Sequence, residues 1–234
     1  MSDLITLAQL SQGYRYNSDS LILANFILKQ GIKGAVFDVG AGCGIIGILL
    51  KKNIANLSLS LIDIQKENIE LIEKNLKSNQ IQGDIFHDDF NQFQSIKKFD
   101  FIVCNPPFYR QGAYKSEDQH KAISKFQEFL PLHSFLTKAN SMLKPNGTLY
   151  FCYEALALDE ICFILKDMKI KITKLCFVHT HQNKKARLVL IQVKKGSKSP
   201  CEILPPFFVY ENEILSKQMQ EIHLRFRLKS YDIR

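Results

Sequence analysis

Val36-Phe37-Asp38-Val39-Gly40-Ala41-Gly42-Cys43-Gly44-Ile45-Ile46-Gly47 is the stretch whose reading decides the fold. An apolar run closes on an acidic residue, and alternating glycines then open an amphipathic helix that runs through Lys51. Strand, glycine turn and helix N-terminus together let backbone touch a nucleotide-like ligand closely. The first helical turn leaves N–H groups unbonded, and glycine removes the Cβ that would hold the ligand away. A tight strand-to-helix turn needs one glycine for φ > 0, and here there are four.

Two ligand templates overlap on these residues. Gly42-Cys43-Gly44-Ile45-Ile46-Gly47 matches G-x-G-x-x-G, the dinucleotide fingerprint. Asp38 followed by Gly40-Ala41-Gly42-Cys43-Gly44 fits an S-adenosylmethionine loop instead. Charge separates them. A carboxylate at the strand tip repels a pyrophosphate, but it favours the ammonium and sulfonium of S-adenosylmethionine. Asp38, Gly40, Gly42 and Gly44 are therefore expected at that cofactor.

Outward from this stretch, strands and helices alternate. Strands are expected at Ala35–Val39, Leu57–Asp63, Ile85–His87, Phe99–Cys104 and Thr148–Tyr153. Helices are expected after Ser18 or Asp19 as cap, and over Lys66–Asn79, Ile123–Met142 and Leu156–Met168. Ile170–Val178 and Ala186–Lys195, joined by a polar loop, read as an antiparallel pair. A basic helix over Glu213–Lys229 closes the chain. The expectation is an α/β fold: a Rossmann-like, mostly parallel sheet with helices on both faces and ligands at the carboxyl ends of its strands. It divides into a cap (1–34), a catalytic core (35–195) and a basic extension (196–234), all in one domain.

Asp63, Asp88, Asp89 and Asn105 join Asp38 at those strand ends. Asp63 is placed to accept both ribose hydroxyls. Asp88 or Asp89 accepts from the adenine amino group while Ile64 and Phe90 pack on its faces; Asp89 is favoured because Phe90 follows it directly.

Asn105-Pro106-Pro107-Phe108, straight after a strand, carries the chemistry. Two prolines remove backbone donors and stiffen the turn, which presents carbonyl oxygens and the Asn105 amide outward. An amine conjugated to a ring is a poor nucleophile. The Asn105 side-chain oxygen and the Pro106 carbonyl can bind both its N–H groups and turn its lone pair toward a sulfonium methyl. Phe108 stacks on the ring. In-line transfer then depends on position and electrostatics.

Composition sets limits. The 234 residues are 46% hydrophobic and 23% charged, enough for one sizeable soluble core. No apolar run approaches the ~20 residues that span a bilayer, and MSDLITLAQL lacks a basic leader segment, so a cytoplasmic protein without membrane contact is expected. Six scattered cysteines suggest free thiols, and the histidines show no metal-ligand spacing. Of the net charge of +8, residues 180–234 hold 11 Lys and Arg against 5 Asp and Glu. A basic C-terminal quarter points to a polyanion such as RNA or DNA.

Taken together, the sequence resembles class I S-adenosylmethionine-dependent methyltransferases of the N-P-P-[FY] group, above all the bacterial tRNA adenine-N6 methyltransferases. Gln12–Tyr16 with Ser18-Asp19-Ser20-Leu21, Asp38–Gly44, Asn105–Phe108, Phe177–His179, and Ile203–Pro206 with Tyr210 carry the likeness over nearly the whole chain. The resemblance implies a seven-stranded sheet with an antiparallel last strand, Ser18 near the cofactor's methionine end, and action on the adenine beside the anticodon of a valine tRNA; a monomer is the separate expectation. Tyr14, Arg15, Tyr109, Arg110 and Lys115 are the candidate RNA contacts. Lys125-Phe126-Gln127 stands where related sequences carry an Arg-His-Glu-like cluster, a departure that bears on the choice of nucleotide. The same N-P-P-[FY] turn serves methyltransferases of rRNA guanine, DNA adenine and a protein glutamine amide. An RNA-binding protein that has lost catalysis, and an oxidoreductase using the G-x-G-x-x-G match, are the readings from other classes.

Overall fold

The computed structural model describes residues 4–13, 15–108, 123–124 and 127–233. In chain order the elements are β1 (Ile5–Leu10), α1 (Ser18–Leu28), β2 (Ala35–Val39), α2 (Ile45–Asn53), β3 (Ser58–Asp63), α3 (Lys66–Ser78), β4 (Asp84–His87) and β5 (Phe99–Cys104). Then come α4 (Leu132–Met142), β6 (Leu143–Glu154), α5 (Leu158–Lys166), β7 (Ile170–His179) and β8 (Ala186–Lys195). The last part holds four two-residue strands, β9 (Glu202–Ile203), β10 (Phe207–Phe208), β11 (Tyr210–Glu211) and β12 (Ile214–Leu215), followed by α6 (Lys217–Phe226) and β13 (Leu228–Ile233).

The main sheet runs β4-β3-β2-β5-β6-β8-β7, with β10 and β9 added on the far edge of β7. All pairings are parallel except those of β8, which is antiparallel to both β6 and β7. The seven expected strands and their reversed last member are thus present, extended by two short ones. Strand order reverses between β2 and β5, the place where an open α/β sheet leaves a crevice at its carboxyl edge.

Strand side chains alternate between two cores. Val36, Val103, Tyr150, Cys152 and Leu190 face α1, α2, α3 and α6. Phe37, Val39, Ile102, Phe151 and Ile191 face α4 and α5. The second core is aromatic: Phe37 stacks on Phe99 at 4.5 Å between centroids and meets Phe90 edge-on at 6.0 Å. Among the described residues no helix is long and apolar enough to cross a membrane.

Several sequence expectations shift. The helix expected over Ile123–Met142 is not one continuous element: Ile123 and Ser124 are helical, Gln127–Phe129 form a single 3-10 turn, and the long helix starts at Leu132, after Pro131, because proline lacks the N–H a helix interior needs and its ring disfavours helical geometry before it. The helix expected over Glu213–Lys229 is shorter. Ser216 caps it by accepting from the Met219 N–H at 3.1 Å, and Arg227 ends it at φ 43°. Lys229 lies instead in β13, which pairs in parallel with β1. Neither strand is legible from local pattern, since each is an edge whose partner lies at the other end of the chain. Buried Asn75 ties this small sheet to the cofactor turn: it accepts from Ala8 N–H at 2.7 Å and donates to the carbonyls of Ala8 and Cys43 at 3.0 and 2.9 Å.

Candidate active site

The glycine turn links β2 to α2 with Gly40, Gly42 and Gly44 at φ 62°, 58° and 80°. At Gly42 a left-handed backbone excludes most side chains, and a Cβ there would meet nothing within 4 Å among the described residues. The space beside the turn is therefore open for a ligand. Gly47 has a different reason. A Cβ on it would sit 2.9 Å from Leu59 Cδ1 and 3.2 Å from Leu61 Cδ2, so the third glycine of the dinucleotide-like spacing serves close packing of α2 on β3.

Two carboxylates lie under the turn. Asp38 is buried; its Oδ2 accepts from the Gly47 N–H at 2.7 Å while Oδ1 has no hydrogen-bond partner among the described residues. Burial, partly offset by that Gly47 bond and reinforced by the charge of Asp63, pushes Asp38 up from 3.8 to about 7. A buried, under-satisfied carboxylate is suited to a neighbouring cation, which is what the methionine end of S-adenosylmethionine supplies. Asp63, at the end of β3, accepts from Gly42 N–H at 2.8 Å, Gln65 N–H at 2.9 Å and Asn68 Nδ2 at 3.0 Å. Through these three donors it joins the turn to α3 at the cleft wall.

A cleft of about 650 Å³ opens at the carboxyl edge of β2, β3 and β5. Gly40, Gly42, Asp63, Ile64, Asp88, Asp89, Phe90, Asn105 and Pro107 line it, with Gln65, Asn68, Ser124 and Phe129 among the rest. Ile64, 45% exposed, and buried Phe90 supply the apolar surfaces expected for an adenine. Asp88 Oδ1 accepts from the Asp89 N–H at 2.8 Å, and Asp89 Oδ1 accepts from the Asn91 N–H at 2.9 Å. A second cavity of about 480 Å³ continues round the glycine turn, lined by Gln9, Tyr16, Ser20, Gly40–Cys43, Asn68 and Asn105. Gly40, Gly42, Asn68 and Asn105 belong to both. One elongated ligand with a nucleoside end and a charged amino-acid end fits this shape.

Asn105 stands where the two cavities meet. Its Nδ2 donates to Ser20 Oγ at 3.2 Å, and its Oδ1 accepts from Cys152 Sγ at 2.9 Å. Pro106 is buried, and Phe108 packs edge-on against Tyr153 at 5.9 Å between centroids. Ser20 is presented by α1, whose N-cap is Asn17, accepting from the Asp19 N–H at 2.9 Å, rather than Ser18 or Asp19. That cap turns Asp19 inward, where it pairs with both terminal nitrogens of Arg187.

The expected site residues divide accordingly. Gly40, Gly42, Asp63, Ile64, Asp88, Asp89, Phe90, Asn105 and Pro107 meet around the clefts. Asp38 and Gly44 support the turn from beneath, and Ser18 lines neither cavity, Ser20 taking that place. Arg15 is paired with Asp232 on β13 at 2.6 Å. Tyr14, Tyr109, Arg110 and Lys115 lie outside the described residues, as do Lys125 and Phe126. Missed from sequence were Gln9, Tyr16, Ser20, Gln65, Asn68 and Cys152. A signal existed for Asn68: with Asn75 and Asn79 it places buried amides on the inward face of α3, where apolar residues are the rule.

A parallel sheet with reversed final core strand, a glycine turn at its switch point and an acidic residue closing the next strand define a class I S-adenosylmethionine-dependent methyltransferase, and S-adenosylmethionine is its cofactor. The chain belongs to the methyltransferase small domain family, whose model matches residues 13–162. It is similar to a tRNA1(Val) (adenine(37)-N6)-methyltransferase of Flavobacterium johnsoniae, 24% identical over 220 residues that cover 92% of this chain and 93% of the relative. It is also 42% identical over 83 residues to the ribosomal RNA small subunit methyltransferase C of Haemophilus influenzae, covering 35% of this chain and 24% of that one. Among solved structures it resembles a ribosomal protein L11 methylase of Lactobacillus delbrueckii, with TM-score 0.62, 21% identity, and coverage of 82% of this chain and 86% of that chain. A T. thermophilus 16S rRNA guanine-N2 methyltransferase, solved with AdoMet and guanosine, matches with TM-score 0.57 and 18% identity, covering 80% of this chain and 45% of that chain.

Proposed function

We propose that the chain methylates the exocyclic N6 amine of an adenine in tRNA, the adenine beside the anticodon of a valine tRNA. Its carrying observation is Asn105 at the junction of the two cavities, followed by two prolines and Phe108. Bound S-adenosylmethionine supplies an electrophilic methyl on a sulfonium. Asp63 holds the ribose, Ile64 and Phe90 hold the adenine, and Asp38 balances positive charge from below the turn. Asn105 Oδ1 and the Pro106 carbonyl accept the two N–H groups of the target amine and aim its lone pair at the methyl, with Phe108 against the ring. The chemistry needs no strong base, because the proton leaves after transfer. The Flavobacterium relative, similar along nearly its whole length, supports tRNA as substrate.

The higher local identity to the Haemophilus ribosomal RNA enzyme favours a second reading, methylation of a ribosomal RNA base. Nucleoside mass spectrometry of RNA from a strain lacking the protein separates the two. Loss of N6-methyladenosine from tRNA, restored by the purified protein, is the expected result; loss of a methylated base from 16S rRNA with tRNA unchanged overturns the proposal.

A further inference from the structure

We infer that Cys152 is a positioning residue that decides which end of the Asn105 side-chain amide faces the methyl acceptor, Ser20 being the adaptable partner at the other end. The inference rests on the reading that Asn105 Oδ1 receives an amine N–H. A carboxamide is nearly symmetric in shape, so its oxygen and nitrogen exchange places at almost no steric cost, and only hydrogen-bond partners distinguish them. With the amide reversed, an NH₂ would face the amine: two donors opposed, and no lone pair directed anywhere.

The two partners differ in what they enforce. Ser20 Oγ accepts from Asn105 Nδ2 at 3.2 Å, but a hydroxyl rotates and would donate equally well to an oxygen placed there. Cys152 does not adapt in this way. It sits on β6 beside the end of β5, fully buried, with Sγ 2.9 Å from Asn105 Oδ1. Burial holds this thiol well above its usual value, so the proton stays on sulfur. Sulfur is a weak acceptor, which makes a reversed amide poorly bonded at this position. Cys152 therefore selects the orientation, and it uses one lone pair of Oδ1 while leaving the other for the cleft. Ser20 keeps its own proton for the cavity it lines with the glycine turn. The Asn17 cap and the Asp19–Arg187 pair anchor the helix turn that carries it.

Methyl transfer from labelled S-adenosylmethionine to total RNA of a strain lacking the protein tests this whichever nucleotide is the target. For Cys152→Ala, kcat should fall about tenfold, the worth of one hydrogen bond, with cofactor dissociation constant and RNA KM within about twofold. Cys152→Ser, whose hydroxyl still donates to Oδ1 but also accepts from a reversed amide, should lose less than the alanine variant without regaining the full rate. Full activity in the alanine variant, or equal loss in both variants, overturns the inference. An infrared measurement needs neither RNA nor the alanine variant. The S–H stretch isolated as wild type minus Cys152→Ser should move to higher frequency in Asn105→Ala, as a lost hydrogen bond requires. An unmoved band overturns the positioning role. A displaced band in a protein that methylates no RNA overturns the proposed reaction and leaves the contact standing.

Discussion

Replacing Asp38 with asparagine changes how stability depends on pH, and the size of the effect follows from where the carboxylate sits. Asp38 lies under the glycine turn with one oxygen bonded to Gly47 and the other without a hydrogen-bond partner among the described residues. Burial raises it to about 7 from 3.8. That gap of about three units corresponds to about 4 kcal/mol at 1.36 kcal/mol per unit. The sign is set by which state holds the proton. Well below pH 3.8 the carboxyl is neutral folded and unfolded, and there is no penalty. As pH rises toward 7 the unfolded chain ionises first, so stability falls, and above 7 the loss levels off because both states are charged. Urea titrations of wild type and Asp38→Asn from pH 4 to 8 isolate this group, because other carboxylates cancel in the difference. The variant should gain on wild type by up to about 1.4 kcal/mol per pH unit between 4 and 7, then run parallel to it. Any constant offset from the new amide leaves the slope untouched. A positive ligand beside the turn favours the ionised form, so cofactor binding to wild type near pH 7 should release a proton, read by calorimetry in buffers of different ionisation heat. Stability curves that stay parallel within about 0.5 kcal/mol throughout would refute the reasoning, since that is the additivity error of such differences.

Asn105→Ala should lower methyl transfer by about a hundredfold or more, as removal of a transition-state hydrogen-bonding group does, while the melting temperature and cofactor affinity hold; equal turnover removes Asn105 from the chemistry. Asp63→Ala strips acceptors from Gly42, Gln65 and Asn68, so each stranded donor should cost about 1–3 kcal/mol, measured as lower stability together with weaker cofactor binding by calorimetry. Gly47→Ala pushes a methyl to 2.9 Å from Leu59 Cδ1 and should destabilise by about 1–3 kcal/mol in denaturant titration; an unchanged midpoint means α2 can shift off β3 freely. RNA affinity, measured by filter binding across salt concentrations, should fall linearly on a log–log plot; a flat line assigns the basic C-terminal residues to solvent alone.

What the sequence determined by itself was whatever depends on neighbours along the chain. The glycine turn after Val36–Val39, the alternation of strand and helix, the polar strand ends at Asp63, Asp88, Asp89 and Asn105, and the antiparallel β7–β8 pair are all local patterns. Those patterns suffice because the interiors of the central parallel strands are mostly apolar while their carboxyl ends carry acidic and amide side chains. The tertiary structure alone decided the rest, because it rests on contacts between residues far apart in the chain. β1 and β13 carry no pairing signal until the two ends of the chain meet. The helix cap at Asn17 swings Ser20, and not Ser18, to Asn105, 85 residues away. Cys152 reads as one more apolar strand residue until its strand lies beside Asn105. Asp38 looks like an exposed strand-tip acid in one dimension, and only the packing of α2 over it removes water from its carboxylate and raises its proton affinity.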